Sequence, residues 1–289
     1  MSPEREARRG PPLRLLNFGC GSTYHSEWVN LDAAPVSPEV IAHDLRRGFP
    51  HAADSFDAVY GSHVLEHLDP QAGMRLLQEC FRVLKPGGIV RIVVPDLETM
   101  ARLYLQSLEG AMAGDAEARM RYEWIMLELY DQATRTDTGG RMGAYLRSGM
   151  SEYAARFVAS RVGREAMGQA TDRVTAQPVL MRMGRRVRSG ALALRRMLAA
   201  ACAFLFLGAE GSNALREGIF RRSGEVHQWM YDRFSLARAL DGTGFVGAQS
   251  RAADESDIPG FARYGLETVD GHPRKPDSLY VEARKPRLT

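Results

Sequence analysis

Apolar positions form short runs near both ends of the chain and a helical spacing through its middle. Leu13, Leu15, Leu16 and Phe18 predict a short buried strand, with Gly19 and Gly21 where it hands over to a loop. Trp28 to Asp32, Val40 to Ala42 and Ser55 to Gly61 predict three more strands, and a short helix is expected over Thr23 to Glu27. Asp69-Pro70 opens a helix through Val83, with Leu76, Leu77 and Cys80 on one face. Lys85-Pro86-Gly87-Gly88 turns it into a fifth strand, Ile89 to Val94, which reads as fully apolar-faced. From Leu97 to Gly224 helical periodicity takes over, in Glu98 to Ser107, Ala116 to Asp131, Met142 to Ser160 and Ala191 to Leu207. A stretch that long is no ordinary connection, so it predicts a helical insertion or lid. The sheet pattern then returns as a helix over Ser235 to Asp241 with Ser235 as N-cap, a sixth strand over Phe245 to Gln249 and a seventh over Ser278 to Ala283.

This order predicts an α/β fold: a Rossmann-like, seven-stranded, mostly parallel sheet with an antiparallel last strand and an insertion after the fifth. The segments divide as a disordered 1–12, a ligand-binding half over 13–96, the insertion over 97–224 and a returning part over 225–289. Ligands of such sheets bind outside the carboxyl ends of the strands. Gly19 and Gly21 allow a sharp turn and close backbone approach there, and a helix start beyond them would offer free N–H groups. A two-glycine turn that merely reverses a strand reads the same way. Asp32 and Asp44 end the second and third strands, Asp32 either as a ribose acceptor or as the start of a turn.

Composition changes little. The 289 residues are 45% hydrophobic with a net charge of +3, enough apolar mass for a core and too mild a charge to argue for nucleic acid. Cys20, Cys80 and Cys202 lie too far apart for a disulfide framework or a metal knuckle, which fits a reducing, cytoplasmic location. The charged N-terminus carries no apolar segment of the secretory kind.

Taken in order, LNFGCG, NLD, HDL, FDAVYGSHVLEHL and LKPGGIVRIVVPDLE resemble the class I S-adenosylmethionine-dependent methyltransferases, in particular the type 11 group, over Leu13 to Glu98. The resemblance implies S-adenosylmethionine as cofactor, with Gly19, Cys20 and Gly21 under its methionine part and Asp32 on its ribose. Asp44 and Leu45 would contact adenine, and Ser62 and His63 would line the methionine end. Asn17 stands where the family often has an acid, and its amide can still accept a hydrogen bond without the charge. The sulfonium is an activated donor, so the protein's task is alignment, exclusion of water and, for a hydroxyl acceptor, removal of a proton.

His63, His67 and Asp96 are the candidate bases. Against these stand plainer roles, a cap or an orienting contact to Glu66 for the histidines and a helix N-cap for Asp96. His63 to His67 also spells H-x-x-E-H, but the motif leaves a parallel strand, which excludes a zinc protease. Relatives in quinone pathways carry Glu-x-x-Glu-His and bind a divalent metal; with His63 in the first position the ligand set is changed, and no metal is expected.

Glu66, His227, Trp229 and Tyr231 are candidate substrate-binding residues, the last three in a loop that could equally be a clamp between insertion and sheet. Residues 197–209 are almost wholly apolar and follow several arginines. They read first as a buried helix of the insertion, with peripheral membrane contact through 185–209 as the alternative. The expected function is methylation, by inference O-methylation, of a sugar, polysaccharide precursor or natural product. Two rivals remain: a non-catalytic cofactor-binding module of a biosynthetic complex, and a nicotinamide-dependent oxidoreductase, against which the first loop lacks the third glycine of G-x-G-x-x-G.

Overall fold

A computed structural model describes residues 12–163, 167–168 and 181–287, the side chains of 181–193 and 196 excepted. The expected disorder of 1–12 falls almost wholly outside the described residues. The chain divides into two compact units, one made of 1–102 with 228–289 and the other of 103–227.

The first unit holds a seven-stranded sheet. Strands β1 (Leu15–Phe18), β2 (Val29–Asp32), β3 (Val40–Ala42), β4 (Phe56–Ser62) and β5 (Leu84–Pro95) run parallel in the order β3-β2-β1-β4-β5. Beyond β5 lie β9 (Ser278–Arg284) and then β6 (Val246–Arg251), with β9 antiparallel to both of its neighbours. The strand order reverses between β1 and β4, where open sheets of this kind hold their ligands. Because β9 runs the other way, Ser278 pairs with Pro95 and the start of β9 lies at the carboxyl edge of the parallel strands.

Alternation along the strands sorts side chains to two faces. Leu16, Phe18, Val59, Val90, Ile92 and Val94 pack against helices α1 (Pro70–Val83) and α7 (Arg233–Gly242) through Leu76, Leu77, Cys80, Leu236 and Leu240. Asp69 caps α1 by accepting from the Ala72 amide. The helix α7 begins earlier than expected. Asp232 is its N-cap, and Ser235 is the third helical residue, whose hydroxyl closes a capping box.

The opposite face is covered by a single 3-10 turn, Phe261–Tyr264, and irregular chain rather than by an α-helix. Leu15, Ala58, Tyr60, Ile89 and Val93 meet Trp28, Phe261, Tyr264 and Leu266, supplied by the β1–β2 connection and by residues 253–266. The indole of Trp28 sits edge-on to Tyr264 at 5.3 Å and to Tyr60 at 6.0 Å. The helix expected over Thr23 to Glu27 does not form; that connection is a run of turns. Only ten residues separate β1 from β2, and side-chain amides claim the loop carbonyls: Asn17 donates to Thr23, and Asn30 donates to His25 and Trp28. A short hairpin of β7 (Thr268–Val269) and β8 (His272–Pro273) precedes β9; its turn, Asp270-Gly271 with both residues at positive φ, is an Asp-Gly signal absent from the expected elements.

Strand β5 is not apolar throughout. Arg91 lies at its centre, fully buried, and pairs with Glu267 and with Glu282, the latter at 2.7 Å. Its remaining N–H groups donate to the carbonyls of Ala252 and Glu255, and its guanidinium lies over Phe261 at 4.8 Å. One side chain thereby ties this cover to the sheet.

The second unit is helical: α2 (Leu97–Met112), which starts in the first unit, then α3 (Ala116–Met126), α4 (Gly140–Leu146), α5 (Glu152–Val162) and α6 (Met181–Arg221). The single helix expected over Met142 to Ser160 is two, α5 starting afresh from a Ser151 cap. Trp124, Ile125 and Val158 form the unit's core, and the buried Glu128 joins Trp124 to Arg161 across α3 and α5. Helix α6 is broken at Gly208, where φ is 70° and ψ is −165°. Its apolar run is exposed rather than buried: within a segment long and apolar enough to cross a membrane, only 6% is covered.

Candidate active site

At the end of β1 the backbone turns through Gly19 and Gly21, both at positive φ, 61° and 54°. The Gly19 and Cys20 amides donate to the Leu31 carbonyl, so the loop is wrapped against the end of β2. Asp32 closes it: one carboxylate oxygen accepts from the Gly21 amide at 2.8 Å and the other from the Ala34 amide at 2.7 Å. A carboxylate offers about four acceptor sites, so these two bonds leave lone pairs for ribose hydroxyls. A Cβ at Gly19 would lie 2.3 Å from a Val64 methyl, whereas one at Gly21 would meet nothing within 4 Å. The loop is thus tight against the β4 turn on one side and open on the other, a cradle that a polar ligand tail can enter.

Asn17 lies beneath the loop, buried, its amide donating to Thr23 and to Asn30 opposite it on β2. Burial, with the Asp32 charge adding to it, pushes the Cys20 thiol up to about 11, so it stays neutral. Asp44 caps the short turn Leu45–Arg47 and grips the Arg46 guanidinium at 2.8 Å, which holds its carboxyl below the usual range. Leu45 packs against the sheet core.

The turn leaving β4 carries the candidate bases. His63 follows Ser62 with φ of 54°, a strained position for a residue with a Cβ, fixed by its amide donating to Val93. Its ring is held at both nitrogens: Nε2 lies 2.8 Å from the Ser278 hydroxyl and Nδ1 lies 3.2 Å from Glu66. Burial above all, with the Lys275 charge, lowers its pKa to about 4 against the pull of Glu66. Glu66 is fully buried with its carboxylate between two imidazoles, His67 lying 3.9 Å away. His67 is the more open of the two rings. Asp96 spends its carboxylate at the start of α2, accepting from the Glu98 amide and the Thr99 hydroxyl.

Three candidate acceptor residues lie in the first unit. The amides of Gln228 and Trp229 donate to the Glu66 carbonyl, and the Gln228 side chain donates to the His67 carbonyl. This loop is therefore docked on the β4 turn through its backbone, which leaves the Trp229 ring half exposed. Tyr231 is buried with its hydroxyl beside Gly73 of α1, and burial raises it to about 12. His227 is the last residue of the second unit, its amide donating to Gln132.

Ser278 and Lys275 escaped the sequence reading. The available signal was the antiparallel last strand, whose first residues must return to the carboxyl edge. Burial lowers the Lys275 ammonium, opposed by Glu66, Asp277 and Glu267.

The depressed His63 pKa has a sign that can be measured. The folded protein keeps this imidazole neutral down to about pH 4, while the unfolded chain takes up a proton near 6.5. Stability is complete above 6.5 and falls as pH drops towards 4, by roughly 2–3 kcal/mol. Urea midpoints between pH 4 and 7 should fall in the wild type more steeply than in His63→Gln; parallel curves would assign the loss to other groups.

Residues 16–92 match a family model described as a methyltransferase domain. Over 115 residues the chain is 31% identical to a probable S-adenosylmethionine-dependent methyltransferase of Mycolicibacterium smegmatis, covering 34% of this chain and 44% of that protein. The chain thus spans less than half the length of the curated relative it matches. Among solved structures it resembles an S-adenosylmethionine-dependent methyltransferase from Mesorhizobium loti, at 16% identity and a TM-score of 0.34 over 98% of this chain and 96% of the other. A second, from Thermotoga maritima, shows 10% identity and a TM-score of 0.35 over 98% and 86%. The topology stands on the strand order itself and does not lean on these two likenesses.

Proposed function

From the premise that residues 16–92 are a class I S-adenosylmethionine-dependent methyltransferase domain, we propose that the chain as a whole is such an enzyme and that it O-methylates a sugar, polysaccharide precursor or natural product. The observation that carries the cofactor reading is the loop at the switch point: Gly19 and Gly21 at positive φ, closed by an Asp32 carboxylate with lone pairs to spare. The residues fit the group. Open space at Gly21 suits the methionine part, Asp32 suits the ribose diol, and Leu45 offers an apolar contact for adenine with Asp44 beside it. The cofactor, when bound, supplies a methyl group already activated on a sulfonium.

The chain's own residues then align and deprotonate. His67 is the proton acceptor of this reading, because its ring is the more exposed of the two imidazoles on the β4 turn and Asp96 is committed to a helix start. Glu66, out of water with a carboxylate oxygen 3.9 Å from the ring, balances the charge the imidazole gains. On methylation of an acceptor hydroxyl, His67 would take up the hydroxyl proton as the new O–C bond forms and the methyl–sulfur bond of the donor breaks. Trp229, half exposed on the loop docked to Glu66 and His67, presents an aromatic face of the sort on which a sugar ring stacks.

Calorimetric titration with S-adenosylmethionine and S-adenosylhomocysteine tests this. Wild type should bind both, Asp32→Ala should bind about tenfold to a hundredfold more weakly, and His67→Gln should keep binding while losing turnover on the acceptor found by a sugar and phenol panel. Absence of binding would remove the reading; binding without turnover on any acceptor would favour the non-catalytic module.

A further inference from the structure

Helix α6 ends its first half in Phe204-Leu205-Phe206-Leu207, immediately before the break at Gly208. These four side chains are 61%, 78%, 80% and 69% exposed. Consecutive helical residues are about 100° apart, so four in a row point to every side of the axis. A rigid partner or a second copy of this chain covers one face of a helix; an apolar end more than half exposed at all four of these positions calls for a surrounding medium. Met197 and Leu198, one to two turns earlier, are 70% and 58% exposed and continue the apolar surface.

Charge identifies that medium. Between residues 181 and 207 the sequence carries six arginines, Arg182, Arg185, Arg186, Arg188, Arg195 and Arg196, and no acidic residue. An apolar tip below a purely cationic stem complements a bilayer with anionic headgroups.

Length sets the depth. The run from Met197 to Gly208 is about 16 Å long at 1.5 Å per residue, against about 30 Å of hydrocarbon. Beyond Gly208 the second half carries Glu210, Arg216, Glu217 and Arg221, which keep it out of hydrocarbon. The two halves line an apolar groove of about 1050 Å3, with Met197, Phe204 and Leu205 on one side and Leu215, Ile219 and Phe220 on the other. The break therefore makes a wedge rather than a span.

We propose that the tip Phe204–Leu207 inserts into one leaflet of an anionic membrane, to which the net positive charge of the preceding sequence draws it. This is independent of methyl transfer, so its failure and that of the proposed function are separable. Co-sedimentation of the full chain with phosphatidylcholine vesicles, with and without phosphatidylglycerol, tests it. Binding to the anionic vesicles should exceed that to the zwitterionic ones by at least about tenfold and weaken as salt is raised. Leu205→Ser with Phe206→Ser should lose at least about tenfold in vesicle affinity while binding S-adenosylhomocysteine as the wild type does. No wild-type sedimentation, equal binding to both vesicle types, or a double variant that binds as well as wild type would overturn the proposal. So would a wild-type dimer by light scattering that the double variant dissolves while neither sediments. Should the double variant not fold, the lipid and salt dependence of the wild type decides alone.

Discussion

Replacing Arg91 by Met is expected to cost about 3–5 kcal/mol of folding stability, the largest loss from a single substitution in the sheet. Arg91 is fully buried, and its guanidinium satisfies two carboxylates that are each only 3% exposed. Methionine fills much the same space but leaves Glu267 in a dry environment without the Arg91 cation, and Glu282 with only Arg251, 3.9 Å away. Burial has already raised the Glu267 carboxyl to about 7 against the pull of the guanidinium, so little would oppose its protonation in the variant. Glu282 would still accept from the Ser256 hydroxyl and the Asp257 amide, and Arg251 would compensate its charge only in part from 3.9 Å. The damage should spread to residues 252–274, because Arg91 also holds the Ala252 and Glu255 carbonyls. Urea denaturation checks this against Lys85→Ala, which breaks a half-exposed pair with Asp57 and should cost under about 1 kcal/mol. Equal midpoints for the two variants would show that the network is not what pins the cover to the sheet.

That network marks where the sequence stopped being legible. Strands β1 to β5 and helix α1 were readable because each has a local signature: apolar runs, an Asp-Pro helix start, glycines at the crossovers. The glycine loop and the acids ending β2 and β3 were readable for the same reason. A buried arginine has no such signature, since its partners lie about 165 to 190 positions away in sequence. The Ile-Val-Arg-Ile-Val-Val pattern of β5 looks like a buried strand with one exception, and only the fold tells what the exception does.

The missing helix between β1 and β2 has a related cause. The helix over Thr23 to Glu27 was expected from spacing alone; Thr, Tyr, His and Ser are weak helix formers, and Asn17 and Asn30, which face each other across two strands, draw the loop carbonyls to their amides. With no helix there, Trp28 and residues 253–266 cover that face instead. Among the candidate bases, the type of group was legible and its availability was not. That His63 is held at both nitrogens depends on Ser278, 215 residues away, and that Asp96 caps a helix depends on where α2 begins.

Gly19→Ala is expected to weaken S-adenosylmethionine and S-adenosylhomocysteine binding by at least about a hundredfold, a loss of nearly 3 kcal/mol. Two independent effects combine. With φ at 61°, an alanine here bears about 1–2 kcal/mol of backbone strain. Its Cβ would also stand 2.3 Å from a Val64 methyl, closer than such atoms approach, so either the loop or the β4 turn must shift. Neither can shift freely. The loop is tied by the Gly19 amide to Leu31 and by the Gly21 amide to Asp32, while the turn carries His63 and Glu66 in fixed contact with Ser278 and the Gln228 backbone. Relief on either side displaces groups assigned to cofactor or acceptor. Gly21→Ala separates the two effects, since its φ of 54° imposes similar strain while its Cβ meets nothing within 4 Å. If contact with Val64 dominates, Gly21→Ala should bind clearly better than Gly19→Ala, and Gly19→Ala combined with Val64→Ala should recover part of the affinity. Equal weakening by the two glycine variants, with no recovery on trimming Val64, would put the loss down to backbone strain alone.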